Sequence, residues 1–380
     1  MATIAQILPS LHAGGVERGS IEIASALIKA GHRGIVISAG GEMVAELTEM
    51  GAEHITLPVA GKQPLSALKR GAILADVLQQ EQVDLLHYRS RVPAWLSLIA
   101  RKKLRKQGYH LPLVATYHGM YPAQNALKRF YNSGMIRADH NIAVSHAIAA
   151  RIAEQYPNFD QQNLTVIPRG CDLDIFRPET DESQADWRTE WGLDAAAPVL
   201  MLVGRLTNFK GVAFMAQALA QVADLPWQFV SVGDYADYPE EVARIHQAFN
   251  AAGIGERIHF LGVQRDMANV YPKANILLSG SQQPEAFGRT IIEAASCGIP
   301  ALVPDQGGTA EVVLDDKTGW HYRFRDTNDA ARVLRKALMT SVRTRQQMGQ
   351  AARARVLAHY RLEAMQESTL AVYTKMLRDI

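Results

Sequence analysis

Two carboxylates, Glu285 and Glu293, stand in the stretch Pro284-Glu285-Ala286-Phe287-Gly288-Arg289-Thr290-Ile291-Ile292-Glu293-Ala294-Ala295-Ser296-Cys297-Gly298-Ile299-Pro300. Pro284 and Gly288 suit a tight loop, and Ile291 to Ala295 form a small apolar helix-forming run that Gly298 and Pro300 stop. Glu285 then sits in the loop and Glu293 about one turn inside the helix. Between them, the N–H groups of Gly288 to Ile291 point out of the helix N-terminus, an end that attracts phosphate. An anion seat flanked by two acids suits a ligand with a phosphate centre and hydroxyl groups on both sides, such as a sugar nucleotide. Taken alone, the stretch equally fits an ordinary loop and helix with two solvated acids.

Other candidates share the same setting, a polar loop at a strand end. Arg205 and Lys210 lie in Gly204-Arg205-Leu206-Thr207-Asn208-Phe209-Lys210-Gly211 after the apolar run Val199 to Val203. Two cations there could hold a diphosphate, or be isolated surface charges. His118 follows the run Leu113 to Tyr117 and precedes Gly119, in the place where open α/β sheets bind ligands; a structural histidine is the other reading. Gly14 and Gly15 follow the first strand, Thr3 to Pro9. Gly14 and Gly19 have P-loop spacing, but Ser20 stands where that motif needs lysine, and the adjacent glycines break the dinucleotide fingerprint. What remains is a loop whose backbone can approach a phosphate, or a structural turn.

The elements that must carry these loops alternate strand and helix. The period-3.6 helical run Ser20 to Lys29 follows the first loop, and Arg33 to Ala39 reads as the next strand. Strands continue at Val83 to His87, Leu113 to Tyr117, Asn141 to Val144 and Val166 to Arg169, then at Val199 to Val203, Phe229 to Val232, Ile258 to Leu261, Ile276 to Ser279 and Ala301 to Pro304. Helices intervene, and such an order implies parallel α/β sheets. The polar, irregular stretch Glu179 to Ala197, with a short helix near Trp187, marks the domain boundary. The last helix runs from Leu362 to Asp379.

The 380 residues suit two domains, and the apolar content is ample for two cores. A formal net charge of +2 gives no reason to expect a nucleic-acid partner, so any charge argument is local. The local candidate is the helix-end run Arg101, Lys102, Lys103, Arg105 and Lys106, either a solvated helix end or a patch for an anionic membrane surface. Cys171 and Cys297 match no disulfide framework or metal spacing and read as reduced thiols of a cytosolic protein. The first residues lack a basic segment and meet Pro9 early, unlike a signal peptide, and no run of about 18 apolar residues occurs.

In this order, Gly14-Gly15-Val16-Glu17-Arg18, His118-Gly119, Pro168-Arg169-Gly170-Cys171-Asp172 with Phe176-Arg177-Pro178, Arg205 and Lys210, the Glu285/Glu293 unit and Gly307-Gly308…Glu311 resemble the family 4 glycosyltransferases. The His118-Gly-Met-Tyr-Pro step and the basic first domain look most like bacterial lipopolysaccharide-core and envelope transferases. The resemblance implies the GT-B fold, an α/β architecture of two Rossmann-like domains facing an interdomain cleft. The domains expected are 1–180 on the acceptor side, 181–361 on the donor side, and 362–380 as a helix packing back on the first. It also implies transfer of a sugar from a nucleotide with retention of configuration. Carried over, Arg205 and Lys210 hold the donor diphosphate, Glu293 takes the ribose hydroxyls and Glu285 faces the transferred sugar. Phe287, Gly288 and Thr290 line the sugar and phosphate, Gly14 and Gly15 close over the phosphates, and His118 lies at the reacting centre. Asp234-Tyr235 follow Gly233 where many members have a second glycine, which leaves the base undefined; Arg265 is placed at that end. No cofactor or metal is expected, although Asp172-Leu173-Asp174 has the spacing of a metal-binding pair. The expected partners are a nucleotide-sugar and a saccharide or lipid-linked acceptor, with the protein cytoplasmic and peripheral to the inner membrane face. An epimerase or phosphorylase on the same fold, or a non-catalytic sugar-nucleotide-binding module, are the alternatives.

Overall fold

The computed structural model describes residues 1–12, 14–61, 63–179, 187–194 and 196–378. The chain divides into two compact units, Met1–Gly170 with the chain from Leu362 onward, and Cys171–Arg361. The boundary expected at 180/181 lies outside the described residues. The units instead part at Gly170, because the following residues are tied into the second unit. The Cys171 N–H donates to the Tyr360 carbonyl at 2.8 Å, Ser296 Oγ donates to the Phe176 carbonyl at 2.7 Å, and the Phe176 ring meets Tyr271 edge-on.

In the first unit, β1 (Thr3–Ile7), β2 (Arg33–Ser38), β3 (Glu53–Thr56), β4 (Leu85–Tyr88), β5 (Leu113–Tyr117), β6 (His140–Ala143) and β7 (Leu164–Val166) form one sheet in the order β3-β2-β1-β4-β5-β6-β7, every pairing parallel. Parallel strands are covered on both faces, which is why β4, β5 and β6 read as continuous buried runs. The first helix begins at Gly15, earlier than Ser20, and Gly19 lies inside it. A Cβ on Gly19 would fall 1.9 Å from the Arg169 guanidinium, so the glycine leaves room for that side chain. The final helix, Leu362–Arg378, belongs to this unit: Met365, Val372 and Tyr373 pack with Ile4, Ile23, Leu27 and Leu85.

The second unit contains β8 (Val199–Val203), β9 (Gln228–Val232), β10 (Ile258–Phe260), β11 (Ile276–Leu278), β12 (Ala301–Pro304) and β13 (Gly319–Tyr322), all parallel, in the order β10-β9-β8-β11-β12-β13. Its core gathers Trp227, Phe229, Phe249, Trp320 and Tyr322. Both sheets reverse strand order beside their first strand, at β1/β4 and at β8/β11. The crevice beyond the carboxyl ends of such a strand pair is where doubly wound sheets bind ligands. Arg205 and Lys210 follow β8, and Glu285 follows β11, so both loops leave the second sheet at that point. Two strands escaped the sequence reading, β3 and β13. Both are sheet edges, short and interrupted by polar residues or glycine, with weak patterning. Among the described residues, no helix is long and apolar enough to cross a membrane.

Candidate active site

The loops after β8 and β11 meet back to back. Gly211 has φ +64°, and a Cβ there would lie 1.8 Å from the Gly280 carbonyl oxygen, so only glycine permits the approach. The Gln282 N–H donates to the Phe209 carbonyl at 2.8 Å and ties the loops again. Their junction delivers Lys210 Nζ to 3.0 Å from Glu285 Oε1, with the two side chains 24% and 14% exposed. Ser281 Oγ donates to the same carboxylate oxygen. Lys210 and Glu285, assigned separately to diphosphate and sugar, are thus an ion pair in the free protein. Arg205 is exposed, and its side chain has no partner among the described residues. Arg265, in the loop after β10, is likewise exposed without a side-chain partner among them.

Glu285 does not sit in a free loop. It forms a parallel bridge with Gly307, and its carbonyl accepts the Gly308 N–H at 2.8 Å. A Cβ on Gly308 would fall 2.4 Å from the Phe287 Cα, so the glycine loop lies directly against this backbone. Gly288 caps helix Arg289–Ser296 at φ +108°, as its position ahead of the helix demanded. The N–H groups of Ile291 and Ile292 turn back to the Gly288 carbonyl, which removes Ile291 from the expected anion seat. Thr290 is half-buried in the first turn, and the Phe287 ring is buried edge-on to Tyr360, leaving Phe287 its backbone to offer.

Glu293 is 9% exposed, and both its oxygens are engaged: Oε2 accepts from the Tyr271 hydroxyl at 2.8 Å and Oε1 from Arg289 Nε at 2.8 Å. Any ribose hydroxyl must share these oxygens' remaining lone pairs. Burial and the Glu293 charge push the Tyr271 hydroxyl pKa up, so it stays a donor. The Arg289/Glu293 pair has the i,i+4 spacing of helix ion pairs and was readable as such; Tyr271 gave no sequence signal. Cys171 and Cys297 are free and buried, and burial raises both thiols' pKa, which keeps them protonated.

In the first unit, His118 follows β5, Arg89 follows β4, and Arg169 follows β7. Arg169 is buried with Glu22 at 3.1 Å and reaches the Gly15 carbonyl at 3.3 Å, so it pins the helix that Gly14 caps. A Cβ on Gly15 would meet nothing within 4 Å, and that position is open to an approaching group. Arg89 is buried on Gln6, and His87 bridges Thr116 and the Tyr373 hydroxyl. His118 Nε2 is buried with no hydrogen-bond partner among the described residues. Burial, then the charges of Arg169 and Arg89, hold the His118 pKa well below the ordinary imidazole value. The ring is neutral at physiological pH, and His87 is depressed in the same way.

This depression has a stability consequence. The unfolded chain takes up protons on both histidines below about pH 6.5, and the folded chain does not. Stability is therefore complete above that pH and falls as the solution is acidified, by up to about 2.7 kcal/mol per pH unit for two protons. Urea unfolding followed by circular dichroism between about pH 7.5 and 5 measures the slope, to which the depressed His54, His140 and His259 also contribute, and His118→Gln should lower it by one proton's share, up to about 1.4 kcal/mol per pH unit. An unchanged slope in that variant would show that His118 titrates normally when folded.

The basic run is partly neutralised. Arg101 grips both oxygens of Asp139 at 2.8 and 2.9 Å, and Lys103 pairs with Asp76. Lys102, Arg105 and Lys106 are exposed. Asp172 Oδ1 accepts the N–H groups of Asp174 and Ile175 at 3.0 and 3.2 Å, so the Asp-x-Asp pair is a side-chain-capped turn. Among the described residues, no three His, Cys, Asp or Glu side chains gather as metal ligands.

Residues 13–175 match the profile described as Glycosyltransferase Family 4, and residues 183–355 match Glycosyl transferases group 1. A crystal structure of a glycosyltransferase from Rickettsia africae ESF-5 superposes with a TM-score of 0.88 and 30% identity, over 100% of this chain and 99% of that one. The chain belongs to the family 4 glycosyltransferases. As a family 4 glycosyltransferase it is a transferase enzyme, and its two parallel-sheet units are the Rossmann-like domains of the GT-B fold. The chain is 27% identical over 315 residues to the N-acetyl-alpha-D-glucosaminyl L-malate synthase of Bacillus anthracis, 80% of this chain and 78% of that enzyme. Anabaena HepE, solved in complex with UDP-glucose, shares the glycosyltransferase's fold with a TM-score of 0.85 at 22% identity, over 99% of this chain and 100% of HepE.

Proposed function

We propose that this glycosyltransferase moves a sugar from a nucleotide-sugar donor to a saccharide or lipid-linked acceptor in envelope glycan synthesis, with retention of configuration and without a divalent metal. Lipopolysaccharide or another cell-envelope glycan is the proposed product, and the cytoplasmic face of the inner membrane is the proposed location. The observation that carries the reading is the Lys210/Glu285 pair, set between the Arg205 loop and the Gly288-capped helix. A donor diphosphate there would draw Lys210 from Glu285. It would meet Arg205 as a second cation and the helix end as a third source of positive potential. That HepE binds UDP-glucose on the same fold supports a UDP-sugar as the first donor to try.

In the proposed reaction the bond between the sugar's anomeric carbon and the diphosphate oxygen breaks as the acceptor oxygen attacks from the same face. The leaving phosphate oxygen takes the acceptor's proton, and nucleoside diphosphate departs. Glu285, released by Lys210, faces the sugar. Glu293, held by Tyr271 and Arg289, presents oriented lone pairs to the ribose. His118 offers a neutral, desolvated imidazole whose Nε2 suits a sugar hydroxyl.

Thermal-shift screening against UDP-, GDP- and ADP-sugars tests the donor, since a ligand at about 100 times its Kd stabilises the fold by about 2.7 kcal/mol. With the stabilising donor, turnover in excess chelator is expected to stay near its original level. Turnover abolished by chelation and restored by manganese would refute metal independence and redirect attention to Asp172 and Asp174.

A further inference from the structure

From the exposed apolar face of helix Ala126–Ser133 we infer that this helix is the element that docks the protein on an anionic lipid surface. The inference deepens the membrane part of the reading above and rests on it. Leu127 is 77% exposed and Phe130 is 56% exposed, one turn apart on one side of the helix. Exposed large apolar residues paired in this way mark interaction surfaces more than singly scattered ones do. Lys128 and Arg129 stand between them, and neither has an ion-pair partner among the described residues. From His118 to Ala138 the chain holds the cations Lys128, Arg129 and Arg137 and no acidic residue at all. Apolar side chains flanked by unanswered cations are the chemistry of a helix lying in a lipid headgroup layer. A protein partner would need a hydrophobic site ringed by acids; an anionic bilayer supplies both features at any orientation.

The helix is built to hold this face outward. Asn125 Oδ1 caps it by accepting the Lys128 N–H at 2.8 Å. Asn132 is buried, donating to the Pro122 carbonyl at 3.0 Å, and the Trp95 indole donates to the Tyr131 carbonyl at 2.9 Å. Phe130 rests on Trp95 with ring centroids 5.0 Å apart, and the Arg137 guanidinium covers both rings. The anchor through Pro122 also fixes the helix to the segment that begins at His118. The basic run on helix Arg91–Lys106, with Arg101 and Lys103 neutralised, is left as a supplementary attraction.

The test is co-sedimentation with phosphatidylcholine vesicles, with and without phosphatidylglycerol, at low and high salt. The expected result is binding to phosphatidylglycerol vesicles that Leu127→Ser/Phe130→Ser weakens about ten- to a hundredfold, from the lost burial of two large apolar side chains. Neutralising Lys128 and Arg129 should weaken it about fivefold per charge. Lys102→Gln/Arg105→Gln/Lys106→Gln should reduce it without abolishing it. Because Phe130 packs on Trp95, Leu127→Ser alone serves if the double variant melts early, and it should move binding in the same direction. Normal binding by the helix variants, with loss in the Lys102/Arg105/Lys106 variant, overturns the inference while leaving membrane association standing. No binding by the unaltered protein removes both. A helix variant that splits a dimer but leaves vesicle binding unchanged shows the apolar face to be a contact between copies of the chain, and also overturns the inference.

Discussion

Lys210→Ala is expected to lower kcat roughly 10²–10³-fold, about 3–4 kcal/mol, the loss typical of one preorganised charge stabiliser. In the proposed reaction the charge on the leaving diphosphate grows as the anomeric bond breaks, so Lys210 would count for more in the transition state than in the bound donor. The variant has a second effect. Glu285 keeps only Ser281 on its Oε1 and loses its cation, so the free protein holds a half-buried carboxylate without compensation. A donor bringing further negative charge then meets repulsion that Lys210 had cancelled. Both effects act on the same step, and Lys210→Arg should restore only part of the rate because the planar guanidinium cannot occupy the ammonium's position. Asp174→Asn, in a capped turn, should leave kcat near the parent value. A Lys210→Ala enzyme with normal kcat and a raised KM would instead assign Lys210 to ground-state binding.

Gly211→Ala should be the more damaging change to the fold. The added Cβ would overlap the Gly280 carbonyl oxygen at 1.8 Å, and the residue would also be forced to keep φ +64°. Left-handed strain and overpacking together cost about 3–5 kcal/mol. Neither partner is the end of a flexible side chain, so the two loops must move apart, and Lys210 moves with them. The expected result is a lowered Tm together with activity at or below that of Lys210→Ala. A folded, thermally normal Gly211→Ala protein with full activity would show that the loops do not need this approach.

What the sequence disclosed follows burial. β5, β8 and β12 were read to the residue because each is an apolar run buried on both faces. The edge strand β3 is not buried, and β13, though mostly buried, reads Gly-Trp-His-Tyr and not as an apolar run. Around the site, the loops carrying Lys210 and Glu285 were legible as loops at strand ends. Their pairing was not, because it depends on strand order, which sets β8 beside β11 and so joins residues 75 positions apart. Glu293 stands out in the sequence as a candidate, but the Tyr271 hydroxyl that fixes it comes from a turn with no local pattern. Arg169 was noticed only as part of a resemblance. Its partnership with Glu22 and its passage over Gly19 belong to tertiary structure.

The placement of helix Leu362–Arg378 in the first unit has a consequence for how the protein is made. The hydrogen bond between His87 and Tyr373 joins residues 286 positions apart. At about 5–20 residues per second, a ribosome needs roughly 15–60 s to synthesise that interval. For all of that time the faces of Ile4, Ile23, Leu27 and Leu85 await Met365, Val372 and Tyr373. The second unit is continuous in sequence, from Cys171 to Arg361. The later half of the chain can therefore complete its core before the earlier half. A chain that stops short of Met365 leaves the apolar face of the first unit, at the beginning of the chain, without its cover.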